Sequence, residues 1–267
     1  MDPVFSKVKA YVIIGLSVLN GLSVEIGSLI VSIVAVFGAG IIRGYSGFGF
    51  AMVAVTSMSL VLPPVQVVPT VLVLEVLASL RLVPQVRKDI DWHSLRGLLL
   101  GSFVGIPFGV YLLATIPPAP MRISISLMVL IASILLMRGF AWKRMPGIIL
   151  ILITGLACGM LNGAAAIGGP PVILFYLSSP AGIKTSRASI IAYFLGIDTM
   201  CLIVAAIQGL TTLHTLFLTA VCLIPLLLGI TVGSRMFIKI EQASFRHHVL
   251  ILLMLLSIAG FFRSIFF

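Results

Sequence analysis

The sequence predicts an all-α integral membrane protein of two inverted repeats, each a glycine-rich broken or re-entrant helix followed by three transmembrane helices, plus an N-terminal helix. Three observations carry this. Of the 267 residues, 60% are hydrophobic and 9% charged, with a mean hydropathy of +1.26, outside the usual range of soluble domains. Apolar stretches of about 18 residues or more, enough to cross roughly 30 Å of hydrocarbon, recur with few charges inside them. Two of the apolar runs are too long for a simple span and are interrupted by glycine, at "GYSGFG" (44 to 49) and "NGAAAIGGPP" (162 to 171).

Residues 1–28 form the N-terminal unit. Lys7 and Lys9 precede the apolar run from Ala10 to Leu19 in signal-peptide order, but no A-x-A-like cleavage site follows, which favours a retained helix or interfacial segment. Turn signals then place apolar segments at about 29 to 61, 65 to 83, 95 to 115, 121 to 138, 147 to 178, 188 to 208, 213 to 235 and 246 to 264. Segments 29 to 61 and 147 to 178 hold the interruptions, and each opens a set of four. "GIPFG" at Gly105 to Gly109 matches "GITVG" at Gly229 to Gly233, and "MRISISLMVLIAS" from Met121 answers "FRHHVLILLMLLS" from Phe245 at the same offset. The repeats are therefore drawn at 29–144 and 145–267.

Seventeen Lys and Arg against seven Asp and Glu give a formal charge of +10. In a soluble chain this would point to nucleic acid; here it reads as topology. If each interrupted segment is a hairpin entering and leaving on one side, the cations of four connections share one face, the cytoplasm: Arg87, Lys88 and Arg96; Arg138, Lys143 and Arg144; Lys184 and Arg187; Arg235, Lys239 and Arg246. The connections at 62 to 64, 116 to 120 and 209 to 213 hold no Lys or Arg and fall outside. An odd number of spans per copy inverts one copy against the other. A broken spanning helix is the alternative.

A break at membrane depth frees backbone groups that lipid cannot satisfy, so it survives only buried in protein or lining a wet cavity. The short helices starting near Phe50 and Pro170 would direct free N–H groups and a positive dipole end at the break. Two such ends meeting near the midplane make an anion site. The candidate binding set is Arg43, Gly44, Tyr45, Ser46, Gly47 and Gly49 from the first break, and Asn162, Gly163, Gly168, Gly169 and Pro170 from the second. Arg43 either faces a cavity or partner, because burying it is costly, or snorkels to the interface. Glu75 and Asp198 fall mid-span at nearly equivalent positions, as proton carriers or as ion-pair partners for Arg43 or Arg81.

Gly101, Gly105, Gly109, Gly229 and Gly233 read as close-packing residues, and Cys158, Cys201 and Cys222 as small core residues. No metal-ligand spacing surrounds His93, His214, His247 or His248, and no nucleophile-base pair or ATP motif is present. These absences argue against an enzyme, a resident metal and any other cofactor. They leave an ion gradient as the energy source.

"GYSGFGFAMVAVTSMSLVLPP" and "GMLNGAAAIGGPPVILFYLSS", each opening one half of the chain, resemble the paired glycine-rich motifs of the TauE/SafE sulfite exporter family, also called the toluene sulfonate uptake permease family. The likeness extends over nearly all of the chain from about residue 29. Gly168 to Pro171 fits well; the first motif departs at Phe50, where a more glycine-rich run is the pattern. The resemblance implies a bacterial or archaeal inner-membrane protein that moves sulfite, organosulfonates or related organic acids. The expectation is thus a secondary transporter of a small anion, residing in the lipid bilayer as monomer or homodimer, using protons as a coupling ion and no nucleic acid. An anion channel is the alternative.

Overall fold

The computed structural model describes residues 26–138, 146–177, 182–236 and 258. The expected N-terminal segment before residue 26, the final segment at 246 to 264 apart from residue 258, and the basic positions Lys143, Arg144, Lys239 and Arg246 lie outside the described residues. Among the described residues there are nine α-helices and no strand. They are α1 (Ile26–Ser46), α2 (Phe50–Met58), α3 (Pro64–Val86), α4 (Trp92–Thr115), α5 (Pro118–Arg138), α6 (Ile148–Ala165), α7 (Gly169–Leu177), α8 (Ile183–Ile207) and α9 (Leu213–Met236). Helices α1, α3, α4, α6, α8 and α9 supply six stretches long and apolar enough to cross a bilayer. On their outer faces Phe103, Phe108 and Tyr111 of α4, Ile203 and Ile207 of α8, and Ile224 and Leu228 of α9 are 55% to 80% exposed. Large side chains of that kind form a lipid-facing belt and would be a liability in water.

The ends of the helices follow local chemistry. Asp91 caps α4 by accepting from the N–H groups of His93 and Ser94, at 3.1 and 3.4 Å, satisfying donors that have no partner inside the helix. Pro63 in extended backbone and Pro64 in the first turn set the start of α3, where a missing N–H costs nothing. Helix α8 begins five residues before the apolar run does, so Lys184 and Arg187 stand on its first turns instead of in a loop.

The interrupted segments are unequal. Each is a long helix, α1 with 21 residues or α6 with 18, followed by a nine-residue one, α2 or α7. At ~1.5 Å per residue α1 rises about 31 Å, enough to cross the hydrocarbon unaided.

Two glycine seams bind the bundle together. A Cβ on Gly44 would run into the Ile230 carbonyl and one on Gly233 into the Ile41 carbonyl, which joins α1 to α9. Gly101, Gly105 and Gly109 of α4 meet Gly155, Gly159 and Gly163 of α6 in the same way, backbone on backbone. Contacts advance together along both members of each pair, so the paired helices run parallel. With no hydrophobic drive between helices in lipid, this close approach is what gains dispersion contact. Helices α3 and α8 pack together at the centre and carry Glu75 and Asp198 midway along their lengths.

Candidate functional site

The first break is made by Gly47 and Gly49, at φ 81° and 89°, a left-handed backbone that costs a Cβ-bearing residue about 1–2 kcal/mol. The Gly47 N–H closes the last turn of α1 on the Arg43 carbonyl at 2.8 Å. Gly49 then caps α2, all nine of whose residues are buried. The second break turns on Ala166, a non-glycine residue at φ 54°. Its N–H bonds the Asn162 carbonyl at 2.7 Å, and the Ile167 N–H bonds the Leu161 carbonyl at 3.4 Å, a helix ending that satisfies the orphan carbonyls of α6.

Side chains from the long helices hold the short helices' N-termini. Glu75 Oε1 accepts the Ala51 N–H of α2 at 3.2 Å. Asn162 Oδ1 accepts the Gly168 N–H before α7 at 3.1 Å, while its Nδ2 donates to Asp198 Oδ1 at 2.8 Å. Both acceptors lie where a helix N-terminus favours negative potential.

Arg43 is fully buried, so it does not snorkel. Its Nη2 lies 2.9 Å from Glu75 Oε2 and donates to Ser79 Oγ at 2.7 Å. The guanidinium also sits 4.8 Å over the Phe194 ring, a cation–π contact in a desolvated setting. The edge of that ring is 3.1 Å from where a Cβ would stand on Gly169. Phe194 therefore lies between the Arg43 guanidinium of α1 and the start of α7 at Gly169. Asp198, one turn further along α8, is 1% exposed, and Arg43 is near enough to act electrostatically on both carboxylates. Arg43 Nε and Nη1 and Asp198 Oδ2 are buried with no hydrogen-bond partner among the described residues, a rare condition in a folded interior.

Of the residues singled out by sequence, Arg43, Glu75, Asn162, Asp198, Gly168 and Gly169 come together. Gly47 and Gly49 shape the first turn. Gly44 and Gly163 fall instead in the two helix seams, where the neighbouring backbone occupies their open side. Tyr45 is buried at the end of α1 beside the α9 seam, Ser46 is the last residue of α1, and Pro170 lies in the first turn of α7. Arg81 is not the partner of Glu75; it reaches Thr231 of α9 at 3.4 Å.

Sequence reasoning missed three contributors. Ser79 stands four residues after Glu75, the same-face helical spacing that could have revealed it. Phe194 precedes Asp198 by four in the same manner. Arg187, read as a loop cation, lies against the first break, its Cγ 3.1 Å from the Cβ position of Gly47. Among the described residues no group of His, Cys, Asp and Glu could hold a metal ion, and Cys158, Cys201 and Cys222 are buried free thiols.

Long lipid-facing helices around a buried cluster of charges define a multi-pass membrane protein. The chain belongs to the sulfite exporter TauE/SafE family, whose model matches residues 32–260. It is similar to the "Probable sulfite/organosulfonate exporter TauE" of Cupriavidus necator, at 25% identity over 185 residues, 66% of this chain and 71% of that protein. No solved structure matches the chain significantly.

Proposed function

We propose that this protein is a secondary transporter, an exporter of sulfite, organosulfonates or related small organic acids across the inner membrane. The two copies are inverted with respect to each other, and the anion is held between the two breaks. The observation that carries this reading is Arg43, a wholly buried cation with two nitrogens that have no hydrogen-bond partner among the described residues, stacked on the Phe194 ring whose edge lies against Gly169. Arg43 supplies the charge that compensates the anion's lost hydration. The N-terminal turns of α2 and α7 supply backbone donors, Gly47 and Gly49 permit the close approach, and Glu75 or Asp198 carries the coupling proton.

Burial supports a carrier over a channel. Arg43 and Asn162 are 0% exposed and Glu75 and Asp198 1%, so in this conformation the site is shut from both sides, as an alternating-access cycle requires at one stage and an open pore does not. The reading is tested by reconstituting the full chain in liposomes and following sulfite efflux under an imposed pH gradient. Saturable flux that responds to the gradient is expected. Absence of flux for sulfite, taurine, sulfoacetate and short carboxylates alike would end the proposal, and unsaturable flux at channel rates would replace the carrier with a pore.

A further inference from the structure

The following rests on the transport reading and concerns what fills its site. A substrate oxyanion needs two kinds of donor here, a guanidinium and the N–H groups at the positive end of a helix. Both are already engaged by an anion belonging to the chain. Glu75 Oε2 forms an ion pair with Arg43 Nη2 at 2.9 Å and Oε1 accepts the Ala51 N–H at 3.2 Å, so one carboxylate bridges the cation and the first turn of α2. The bridge does not exhaust its cation, since Arg43 Nε and Nη1 remain without a hydrogen-bond partner among the described residues. An ion pair serving stability alone would have those donors satisfied, because leaving them bare offsets much of what the pair gains.

We propose that the Glu75 carboxylate is a tethered stand-in for the transported oxyanion, which binds by displacing it from Arg43 and from the Ala51 N–H. The bridge also defines the ligand class. Two oxygens on one centre span the two donors, as in sulfite, a sulfonate or a carboxylate; a halide, with a single point of contact, does not span them. Displaced into an apolar interior, a bare carboxylate beside an arriving anion is costly. It therefore leaves with a proton drawn from water, –COO⁻ plus H⁺ giving –COOH, and the site's charge is the same before and after the exchange. The groups that bear on Glu75 are Arg43 from α1 and Asp198 from α8, with Arg187 of α8 behind Arg43. Helix α2 presents its N–H groups. Arg122 of α5 is committed to the Leu62 carbonyl before α3 begins, and Arg81 to Thr231 of α9.

The test is calorimetric titration of ethanesulfonate, whose charge is constant with pH, into the full chain in nanodiscs at about pH 5.5 and about pH 8. In the wild type, affinity is expected to be higher in acid. Glu75→Gln, which removes the internal competitor and keeps its shape, is expected to bind about tenfold tighter and with no pH dependence. Chloride is expected to compete in neither. Weaker or unchanged binding by Glu75→Gln, together with a flat wild-type pH profile, overturns the proposal and leaves Glu75 a structural partner of Arg43. If Glu75→Gln does not purify as a single species, Glu75→Asp withdraws the carboxylate by one methylene; tighter binding with pH dependence retained supports the stand-in, and weaker binding overturns it. Should no protein form bind ethanesulfonate or sulfite while wild-type liposomes carry no sulfite, the transport reading itself has failed, and this inference with it.

Discussion

Replacing Arg43 by Met separates what the buried cation does for the fold from what it does for transport. The substitution keeps most of the side chain's apolar length but strands Glu75, 1% exposed, with a charge whose remaining donor among the described residues is the Ala51 N–H. Removing one member of a buried pair costs about 3–5 kcal/mol, a figure that takes in the 2.7 Å bond to Ser79 and the stacking on Phe194. In unfolding temperature that corresponds to a drop on the order of 10 °C for a chain of this size. The double variant Arg43→Met with Glu75→Gln leaves no bare charge and is expected to regain most of the loss, since neutral groups often replace such pairs without penalty. Both variants are expected to be inactive. Unfolding followed by detergent-phase fluorescence and sulfite flux in liposomes are the two readouts. Wild-type flux in the Arg43→Met protein, or a double variant as unstable as the single one, would refute the reasoning.

Asn162→Leu keeps the side-chain volume but strands the Gly168 N–H and the Asp198 carboxylate, at a cost of about 2–4 kcal/mol; an unchanged unfolding temperature would mean that this amide does not hold the second break. Gly105→Leu drives a side chain into the Leu156 carbonyl across the seam of α4 and α6 and is expected to abolish recovery of monodisperse protein, whereas Gly38→Ala, with nothing within 4 Å of its Cβ position, is expected to raise stability by about 0.5–1 kcal/mol. Arg187→Gln removes a cation beside the first break and is expected to raise the KM for sulfite while sparing kcat, the reverse split arguing for a role in the conformational step.

Much of the fold was legible because lipid simplifies the code. Apolar length gives the long helices, and glycine or proline marks where they stop. The same simplicity limited the site. Gly44 and Gly47 look alike in sequence, yet Gly44 is the third residue from the end of a continuous helix with Ile230 against it, and Gly47 is a left-handed turn. Lipid does not compete for backbone hydrogen bonds, so glycine is tolerated inside such helices and does not alone announce where one ends. The two carboxylates were visible as charges out of place. Which cation paired with which was not, because Arg43 and Arg81 are both available to α3 by sequence and only the packing of α1 beside Ser79 selects the first. Phe194 gave no polar signal of its own, being one more apolar ring after Tyr193 until the guanidinium above it is seen.

The parallel seams join α1 to α9 and α4 to α6, and in each case the partners come from opposite halves of the chain. Neither half owns a complete rigid body. A unit held by either seam draws helices from both halves, and Glu75 and Asp198 stand on α3 and α8, which pack against each other across the same division. Expressed alone, either half would present a bare glycine seam with no partner backbone to cover it.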